Sequence, residues 1–189
     1  MINLKRIFDI LLSFNAILFL SPILLLVFLS IKVFSNGPAL YWSDRIGRKN
    51  IVFRMPKFRS MLIETPAVAT HLLKDPDQYL TPIGSFLRRS SLDELPQLWS
   101  ILRGDMSFVG PRPALFNQKD LITLRNAAGV NELLPGLTGW AQVNGRDELP
   151  IHKKVALDVE YMKRQSLWLD VKILYLTVLK VVNQDGLSH

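Results

Sequence analysis

The most apolar stretch of the chain lies near its N-terminus, where residues 10–31 read ILLSFNAILFLSPILLLVFLSI without a charged side chain. An α-helix of that length measures about 33 Å, against about 30 Å for the hydrocarbon core of a bilayer. Ser21 and Pro22 stand near its midpoint. Because proline removes one backbone hydrogen bond and clashes with the preceding turn, we predict a kink or a break there.

Two interpretations of this apolar helix stay open. Lys5 and Arg6 precede it and Lys32 follows it, so the positive-inside rule gives no direction of crossing. One interpretation is a spanning helix that tolerates its proline. The other is a re-entrant helix, bent at Ser21-Pro22, which enters and leaves by the cytoplasmic face and so places both basic flanks on the same side.

The rest of the chain alternates short runs of different periodicity. Residues 39–47 and 51–58 favour β structure and are joined by Gly47 to Asn50, which predicts a hairpin. A short helix is expected to open at Thr81-Pro82, with threonine as its cap. Further helices are predicted near residues 93–102, 114–128 and 152–164. The predicted fold class is therefore α-rich mixed α/β with a small β-hairpin.

The last predicted helix, residues 166–182, reads SLWLDVKILYLTVLKVV. Its few polar side chains form one narrow stripe at helical spacing, so it either packs into a core or lies in the membrane interface with Trp168 and Lys172 near the headgroups. The apolar segment at the other end of the chain favours the interface. We thus divide the chain into a membrane segment, 1–34, and a membrane-associated domain, 35–189, that includes this interfacial helix.

Composition narrows the function classes. The chain has 189 residues, enough for one domain and an appendage. Its 23 Lys and Arg against 16 Asp and Glu give a net charge of +7, which favours anionic partners such as phospholipid headgroups, nucleotides or nucleic acid. No nucleic-acid recognition motif is present, so nucleic acid is not an expected partner. Zero cysteines exclude disulfides, a thiol nucleophile and cysteine metal sites.

The segment SSLDELPQ, residues 90–97, places Asp93 and Glu94 just before Pro96 in this basic chain. Two interpretations apply. The carboxylates could cap a helix, since Ser91 and Glu94 have the spacing of a capping box. Alternatively, an ionised aspartate at a helix start could attack phosphorus, as in the aspartyl-phosphate intermediates of ATPases.

An attack on an anionic phosphate requires cations nearby. From the residues alone the candidates are Lys57 and Arg59 in KFRS, Arg88 and Arg89 upstream of the dyad, and Arg112 in a Pro-Arg-Pro triplet. Pro111 and Pro113 restrict the backbone around Arg112, so its guanidinium would lose less conformational entropy on binding phosphate. A diphosphate here would also call for Mg²⁺, which binds through one or two carboxylates plus substrate phosphates, with Asp93 as the candidate ligand.

Several ordered blocks resemble the bacterial sugar transferases, the monotopic phosphoglycosyl transferases that act on polyprenyl phosphate. The blocks are KRIFDI (5–10), SP (21–22), KFRSM (57–61), RRSSLDELPQLWSILRGDMSFVGPRP (88–113), PGLTGWAQVNGR (135–146) and D-x-x-Y (158–161). They cover nearly the whole chain, and LDELPQ and GDMSFVGPRP are highly specific. The length is similar to that of the minimal members of the family.

The resemblance implies a re-entrant N-terminal helix and a catalytic domain on the cytoplasmic face of the bacterial inner membrane. It implies transfer of a sugar 1-phosphate from a UDP-sugar to undecaprenyl phosphate, with release of UMP and with Mg²⁺ present. By motif position Asp93 is the nucleophile and Glu94 its acid/base neighbour, while Lys57, Arg88 and Arg112 meet phosphate or the dyad. Asp158 and Asp170 match recurrent acids of the family whose individual roles stay open, as do the sugar, the pathway and the oligomeric state.

A different class of function is also compatible with the residues alone. In a membrane-anchored scaffold or interaction protein, the dyad would be a helix cap and the basic residues would bind lipid. The two classes differ in one measurable respect, because only the transferase releases UMP from a UDP-sugar.

Overall fold

The computed structural model describes residues 4–66, 73–145 and 149–183. Its helices are α1 Leu4–Phe34, α2 Gly84–Arg89, α3 Gln97–Arg103, α4 Lys119–Ala127, α5 Trp140–Val143, α6 Ile151–Arg164 and α7 Leu167–Asn183. Its strands are β1 Leu40–Ile46, β2 Val52–Phe58, β3 Ser107–Val109 and β4 Gly136–Thr138. Short 3-10 turns cover Arg48–Asn50, Pro76–Tyr79, Leu92–Glu94 and Val130–Glu132. The α-rich mixed fold class is confirmed.

Helix α1 is continuous from Leu4 to Phe34, with Pro22 in its interior. Pro22 has no N–H to donate to the carbonyl of Leu18, four residues earlier. The Ser21 hydroxyl donates to that same carbonyl at 2.8 Å. Within a bilayer an unsatisfied carbonyl is costly, so the Ser21 hydroxyl replaces the hydrogen bond that Pro22 cannot donate. The helix is not broken there, and its bend and re-entrant path stay predictions.

The predicted hairpin is confirmed. Strands β1 and β2 are antiparallel, with Leu40 opposite Phe58 and Ile46 opposite Val52. The connecting turn needs left-handed backbone at Lys49 and Asn50 (φ 56° and 61°). Strands β3 and β4 form a separate two-stranded parallel sheet.

The main core lies between the hairpin, α3, β3 and the two C-terminal helices. Its buried members include Met55, Ile101, Met106, Tyr161 and Ile173. Helix α1 adds Leu12, Ala16, Ile17 and Leu20 along one side. The predicted cap at Thr81 is wrong: helix α2 begins at Gly84, and the Thr81 hydroxyl donates to the carbonyl of Ser60 at 3.2 Å.

The first turns of α1 bind helix α3 and strand β3, two elements within residues 88–113. Arg6 donates to the carbonyls of Ile101 and Leu102, at 2.5 and 2.7 Å, and so satisfies the C-terminal end of α3. Asp9 accepts from the Phe108 N–H at 3.0 Å and the Ser107 hydroxyl at 3.1 Å, both on β3. Helix α1 and the rest of the fold are therefore joined through polar contacts.

Helix α7 turns two residues of its polar stripe, Asp170 and Thr177, towards the rest of the protein. Asp170 is 1% exposed, and the Thr177 hydroxyl lies 2.7 Å from that of Thr138 on β4. Its outer face carries Trp168, Val171, Tyr175, Val178 and Leu179. Apolar side chains thus point away from the protein, the arrangement expected of a helix whose outer face meets lipid.

Helix α1 is the one helix within the described ranges that is long and apolar enough to cross a membrane. Only 11% of its most apolar window is buried within the protein. A core helix of a soluble protein would be mostly buried, so α1 could serve as a membrane anchor.

Candidate active site

The dyad lies in a tight turn between two short helices. Residues Leu92–Glu94 form one 3-10 turn, and α3 begins at Gln97 with Pro96 as its N-cap residue. Ser91 is left-handed (φ 56°), and neither cap makes a side-chain hydrogen bond. The capping-box interpretation is therefore wrong, and the Glu94 carboxylate is directed to other partners.

Those partners are two of the predicted cations. Glu94 Oε1 accepts a hydrogen bond from Lys57 Nζ at 2.7 Å and from Arg112 Nη2 at 3.2 Å. Burial opposes the ionisation of Glu94, but the charges of Lys57 and Arg112 outweigh it and lower the pKa of the carboxyl well below its usual range. Glu94 is therefore an anion that holds two cations beside Asp93.

Asp93 lies in a different electrostatic environment, although it is the adjacent residue. Its side chain is 8% exposed, and burial raises its pKa to about 6, against the partly compensating charge of Lys57 and with a further upward contribution from Glu94. Asp93 is thus largely ionised at neutral pH but poorly solvated. An anion that has lost most of its hydration is a stronger nucleophile than an exposed one.

The three predicted cations approach the dyad from three different elements. Lys57 lies on β2, Arg88 on α2, and Arg112 in the loop after β3. Arg88 donates to the Met61 sulfur at 3.4 Å, and its charge lowers the pKa of Asp93. The structure therefore brings together all three residues that were selected from the sequence. Their role in phosphate binding stays a prediction.

The loop that carries Arg112 is fixed through its backbone. Gly110 N–H donates to the carbonyl of Thr138 at 2.9 Å, and Gly136 N–H donates to that of Pro111 at 2.9 Å. A Cβ on Gly136 would lie 2.1 Å from the nitrogen of Gly110, so only glycine allows this approach. Pro111 and Pro113 are both buried, which supports their predicted role in shaping the loop.

A small pocket opens beside Glu94. Its lining is Arg45, Met55, Lys57, Glu94, Gln97, Arg112 and Pro113. Gln97, one turn after the dyad, is 3% exposed, and its Nε2 has no hydrogen-bond partner in the described part of the chain. A buried donor without a partner is costly. The pocket lining therefore combines an unused donor with three cations, Arg45, Lys57 and Arg112.

Comparison with known proteins gives the family. The family model described as "Bacterial sugar transferase" matches residues 2–184. A curated relative from Bacillus subtilis, named an uncharacterized sugar transferase EpsL, is 40% identical over 98% of this chain and 91% of its own length. The chain belongs to the bacterial sugar transferase family.

Longer relatives in the family have names that state an activity. The UDP-glucose:undecaprenyl-phosphate glucose-1-phosphate transferase of Escherichia coli is 40% identical over 94% of this chain and 40% of its own length. The undecaprenyl-phosphate galactose phosphotransferase of Salmonella typhimurium is 39% identical over 97% and 41%, respectively. This sugar transferase chain spans 35 to 42% of the length of these and similar curated relatives.

The two remaining predicted acids have basic partners of their own. Asp158 on α6 accepts from Arg125 on α4, at 2.9 Å from Nε and 2.7 Å from Nη2. Asp170 on α7 accepts from Lys5 Nζ at 2.5 Å and from the Tyr161 hydroxyl at 2.7 Å. Both carboxylates are buried in ion pairs that join separate helices, as expected of structural residues.

The sequence alone did not identify Lys5, Arg125 and Tyr161 as functional residues. Lys5 Nζ donates to the carbonyl of Val109 at 3.0 Å and so holds the start of the Arg112 loop. The Tyr161 hydroxyl, whose proton goes to Asp170, lies 3.2 Å from the same carbonyl. The D-x-x-Y spacing was a usable signal, because residues three apart share a helix face. Arg125 carried no signal, since it stands in a stretch without a recognised motif.

Proposed function

We propose that this sugar transferase moves a sugar 1-phosphate from a UDP-sugar to undecaprenyl phosphate and releases UMP. The observation that carries the proposal is the buried Asp93, with a pKa raised to about 6, beside an ionised Glu94 that holds Lys57 and Arg112. A nucleophilic anion and several cations within one site suit the attack of a carboxylate on a diphosphate. The names of the longer relatives support both substrates.

The first step is the attack of Asp93 on the β-phosphorus of the UDP-sugar. One carboxylate oxygen forms a bond to phosphorus as the bond between the β-phosphorus and the bridging oxygen breaks. UMP leaves with that oxygen and its electron pair, and the sugar phosphate stays on Asp93 as an acyl phosphate. Lys57, Arg88 and Arg112 offset the negative charge that the leaving UMP acquires.

The second step returns the enzyme to its starting state. A phosphate oxygen of undecaprenyl phosphate attacks the phosphorus of the acyl phosphate and forms the new diphosphate bond, while Asp93 leaves as a carboxylate. Glu94, the neighbouring anion, is proposed to assist removal of the proton that a monoprotonated lipid phosphate must lose, and the proton passes on to solvent because the lowered pKa of Glu94 does not retain it. Gln97 adds the unused Nε2 donor described above, which suits a phosphate oxygen.

Mg²⁺ is proposed as the cofactor. Within the described ranges no three His, Asp or Glu side chains form a group that could hold a metal ion. The ion would therefore take Asp93 and the phosphate oxygens of the substrate as ligands, which is a usual mode for Mg²⁺ at diphosphate sites. When bound, it would neutralise diphosphate charge. Glu94 is engaged by Lys57 and Arg112 and is the less suitable ligand.

We also propose that the protein is monotopic, on the cytoplasmic face of the bacterial inner membrane and in contact with phospholipids. The exposed apolar faces of α1 and α7 support this placement. Basic side chains flank α1 on both sides, with Lys5 and Arg6 before its apolar core and Lys32 in its last turn. A re-entrant path through Ser21-Pro22 would keep both flanks at one surface.

Topology can be tested because the chain has no cysteine. Single cysteines at Ile2 and Asn36 should both be shielded from an impermeant maleimide added outside intact cells, and both should react after lysis. Labelling of one of the two in intact cells would instead establish a spanning helix.

The test of function is UMP release. Detergent-solubilised protein, undecaprenyl phosphate and Mg²⁺ are incubated with a panel of UDP-sugars that includes glucose, galactose and N-acetylated hexosamines. We expect release from at least one sugar, and none from Asp93→Asn, because an amide cannot supply the attacking oxygen. No release from any sugar would favour the membrane-anchored scaffold, and full activity of Asp93→Asn would exclude Asp93 as the nucleophile.

A further inference from the structure

The buried ion pair of Arg125 and Asp158 lies outside the pocket beside Glu94. Arg125 on α4 donates through Nε and Nη2 to Oδ2 of Asp158 on α6, at 2.9 and 2.7 Å. The two side chains are 12% and 2% exposed. A buried ion pair adds little net stability over well-packed apolar side chains. We therefore consider the geometry that the Arg125–Asp158 ion pair imposes on its neighbours.

That geometry is directed at the Arg112 loop. The remaining terminal nitrogen of Arg125, Nη1, donates to the backbone carbonyl of Arg112 at 2.7 Å. A guanidinium is planar and rigid, so the two bonds to Asp158 fix the direction in which Nη1 points. Asp158 thereby sets the position of a backbone atom that it does not contact.

The loop has little freedom to absorb a shift of that carbonyl. Arg112 stands between two prolines that fix their own φ angles. Arg45 Nη1 donates to the next carbonyl, that of Pro113, at 3.1 Å. Two consecutive carbonyls are thus held by two guanidinium groups. The Arg112 side chain, in contrast, is 40% exposed and makes a 3.2 Å contact with Glu94.

We propose that Arg125 and Asp158 are positioning residues, which hold the Arg112 guanidinium where it meets both Glu94 and the diphosphate of the nucleotide substrate. The inference deepens the proposed function and rests on it for the identity of that substrate. Neither residue touches the substrate itself. Their effect passes through the backbone of Arg112.

The first test replaces the pair. Arg125→Gln, Arg125→Lys and Asp158→Asn should each raise KM for the UDP-sugar and lower kcat/KM about 10- to 100-fold, since small misplacements of a binding group cost this much. Arg125→Lys is informative because lysine keeps the charge but cannot hold the fixed fork. Arg164→Gln, which removes an exposed ion pair with Glu160 on the same helix α6, is the matched control and should be unchanged.

A double-mutant cycle separates positioning from general structural damage. Arg112→Ala removes the guanidinium but keeps the carbonyl that Arg125 holds. If Arg125 acts through the Arg112 side chain, Arg125→Gln should cause almost no further loss in the Arg112→Ala background. Losses that multiply in full would overturn the inference, as would an Arg125→Gln enzyme with the kinetics of the wild type.

The same cycle on the Kd of UDP needs no turnover. We expect Arg125→Gln to weaken UDP binding in the wild-type background and to leave it unchanged in Arg112→Ala. A protein that binds UDP with this non-additivity but releases no UMP would refute the proposed reaction while supporting the positioning pair. If the two substitutions weaken UDP binding additively, the positioning role of Arg125 and Asp158 is refuted and the proposed reaction is not. If the wild-type protein binds no UDP, the positioning role is refuted too.

Discussion

The ionisation of Asp93 should control the first half of the reaction. Burial raises the pKa of this carboxyl to about 6 from an ordinary value of 3.8. The carboxylate, not the acid, is the nucleophile. The rate of attack should therefore fall as the pH decreases through 6, and the perturbation to apply is pH itself.

The magnitude follows from the pKa. A carboxyl with a pKa of about 6 is roughly 90% ionised at pH 7 and roughly 10% at pH 5, so the rate of attack should fall about ninefold. With its ordinary pKa, Asp93 would stay roughly 90% ionised at pH 5, and the rate would hardly change. The two cases are separated well beyond experimental scatter.

The assay is the single-turnover burst of UMP from a UDP-sugar without undecaprenyl phosphate. A UDP-sugar has no group that titrates between pH 5 and 8, whereas the lipid phosphate does, so omitting the acceptor isolates the enzyme. Glu160→Gln, at an exposed site, is the control and should keep the profile. The profile is measured at several Mg²⁺ concentrations, because an ion on Asp93 would lower the pKa of this carboxyl. A burst rate that is flat from pH 7 to pH 5 at every Mg²⁺ concentration would refute the environment assigned to Asp93.

The sign of the neighbouring charges provides a second check on the same profile. Glu94 contributes to the raised pKa of Asp93, and Lys57 opposes it. Glu94→Gln should therefore move the acid limb of the burst rate to lower pH, and Lys57→Met should move it to higher pH. Shifts in the same direction would contradict the electrostatic arrangement described here.

Three further predictions concern single side chains. Asp93→Asn removes a buried charge, and a pKa raised to about 6 means that this charge costs about 3 kcal/mol of stability. The Tm of the variant should therefore exceed that of the wild type at pH 8. The difference in Tm should disappear between pH 6 and 4, where the folded wild type takes up its proton. Gln97→Met keeps the volume but removes the unused donor, and should lower kcat/KM about tenfold with little change in Tm. Asp170→Asn removes the carboxylate that pairs with Lys5 at 2.5 Å, and should lower the unfolding free energy by about 3 kcal/mol and Tm by about 6 to 12 °C, with the pH profile unchanged. A lower Tm for Asp93→Asn at pH 8, unchanged kinetics of Gln97→Met, or a shifted profile of Asp170→Asn would contradict the respective assignment.

Local patterns predicted the hairpin and the main helices. Residues 39–47 and 51–58 alternate around a short turn, and the observed strands, Leu40–Ile46 and Val52–Phe58, fall inside those bounds. Residues 152–164 correspond to α6, Ile151–Arg164. In each case the pattern that identifies the element is local, so periodicity and turn chemistry locate it even though distant residues such as Arg125 help to hold α6.

The candidate site was predicted in its members but not in its electrostatics. Lys57 and Arg112 were selected as phosphate ligands, yet both bind Glu94, and this makes Glu94 an anchor for cations rather than a helix cap. The raised pKa of Asp93 depends on burial by residues distant in sequence. Propensity and spacing contain no information on such burial, so an ordinary pKa was the only one available from sequence.

The polar residues of α7 that face inward are a second case in which the sequence pattern does not predict the contacts. Periodicity locates the stripe but leaves two settings open for this helix, a protein core and the membrane interface. In the structure Asp170 contacts Lys5 of α1, and Lys5 also donates to the carbonyl of Val109 at the start of the Arg112 loop. The apolar outer face of α7 and the apolar α1 suit the lipid contact that is proposed for both. These polar groups join α1 to the loop that carries Arg112, so the proposed depth of α1 in the bilayer should fix the depth of the candidate active site.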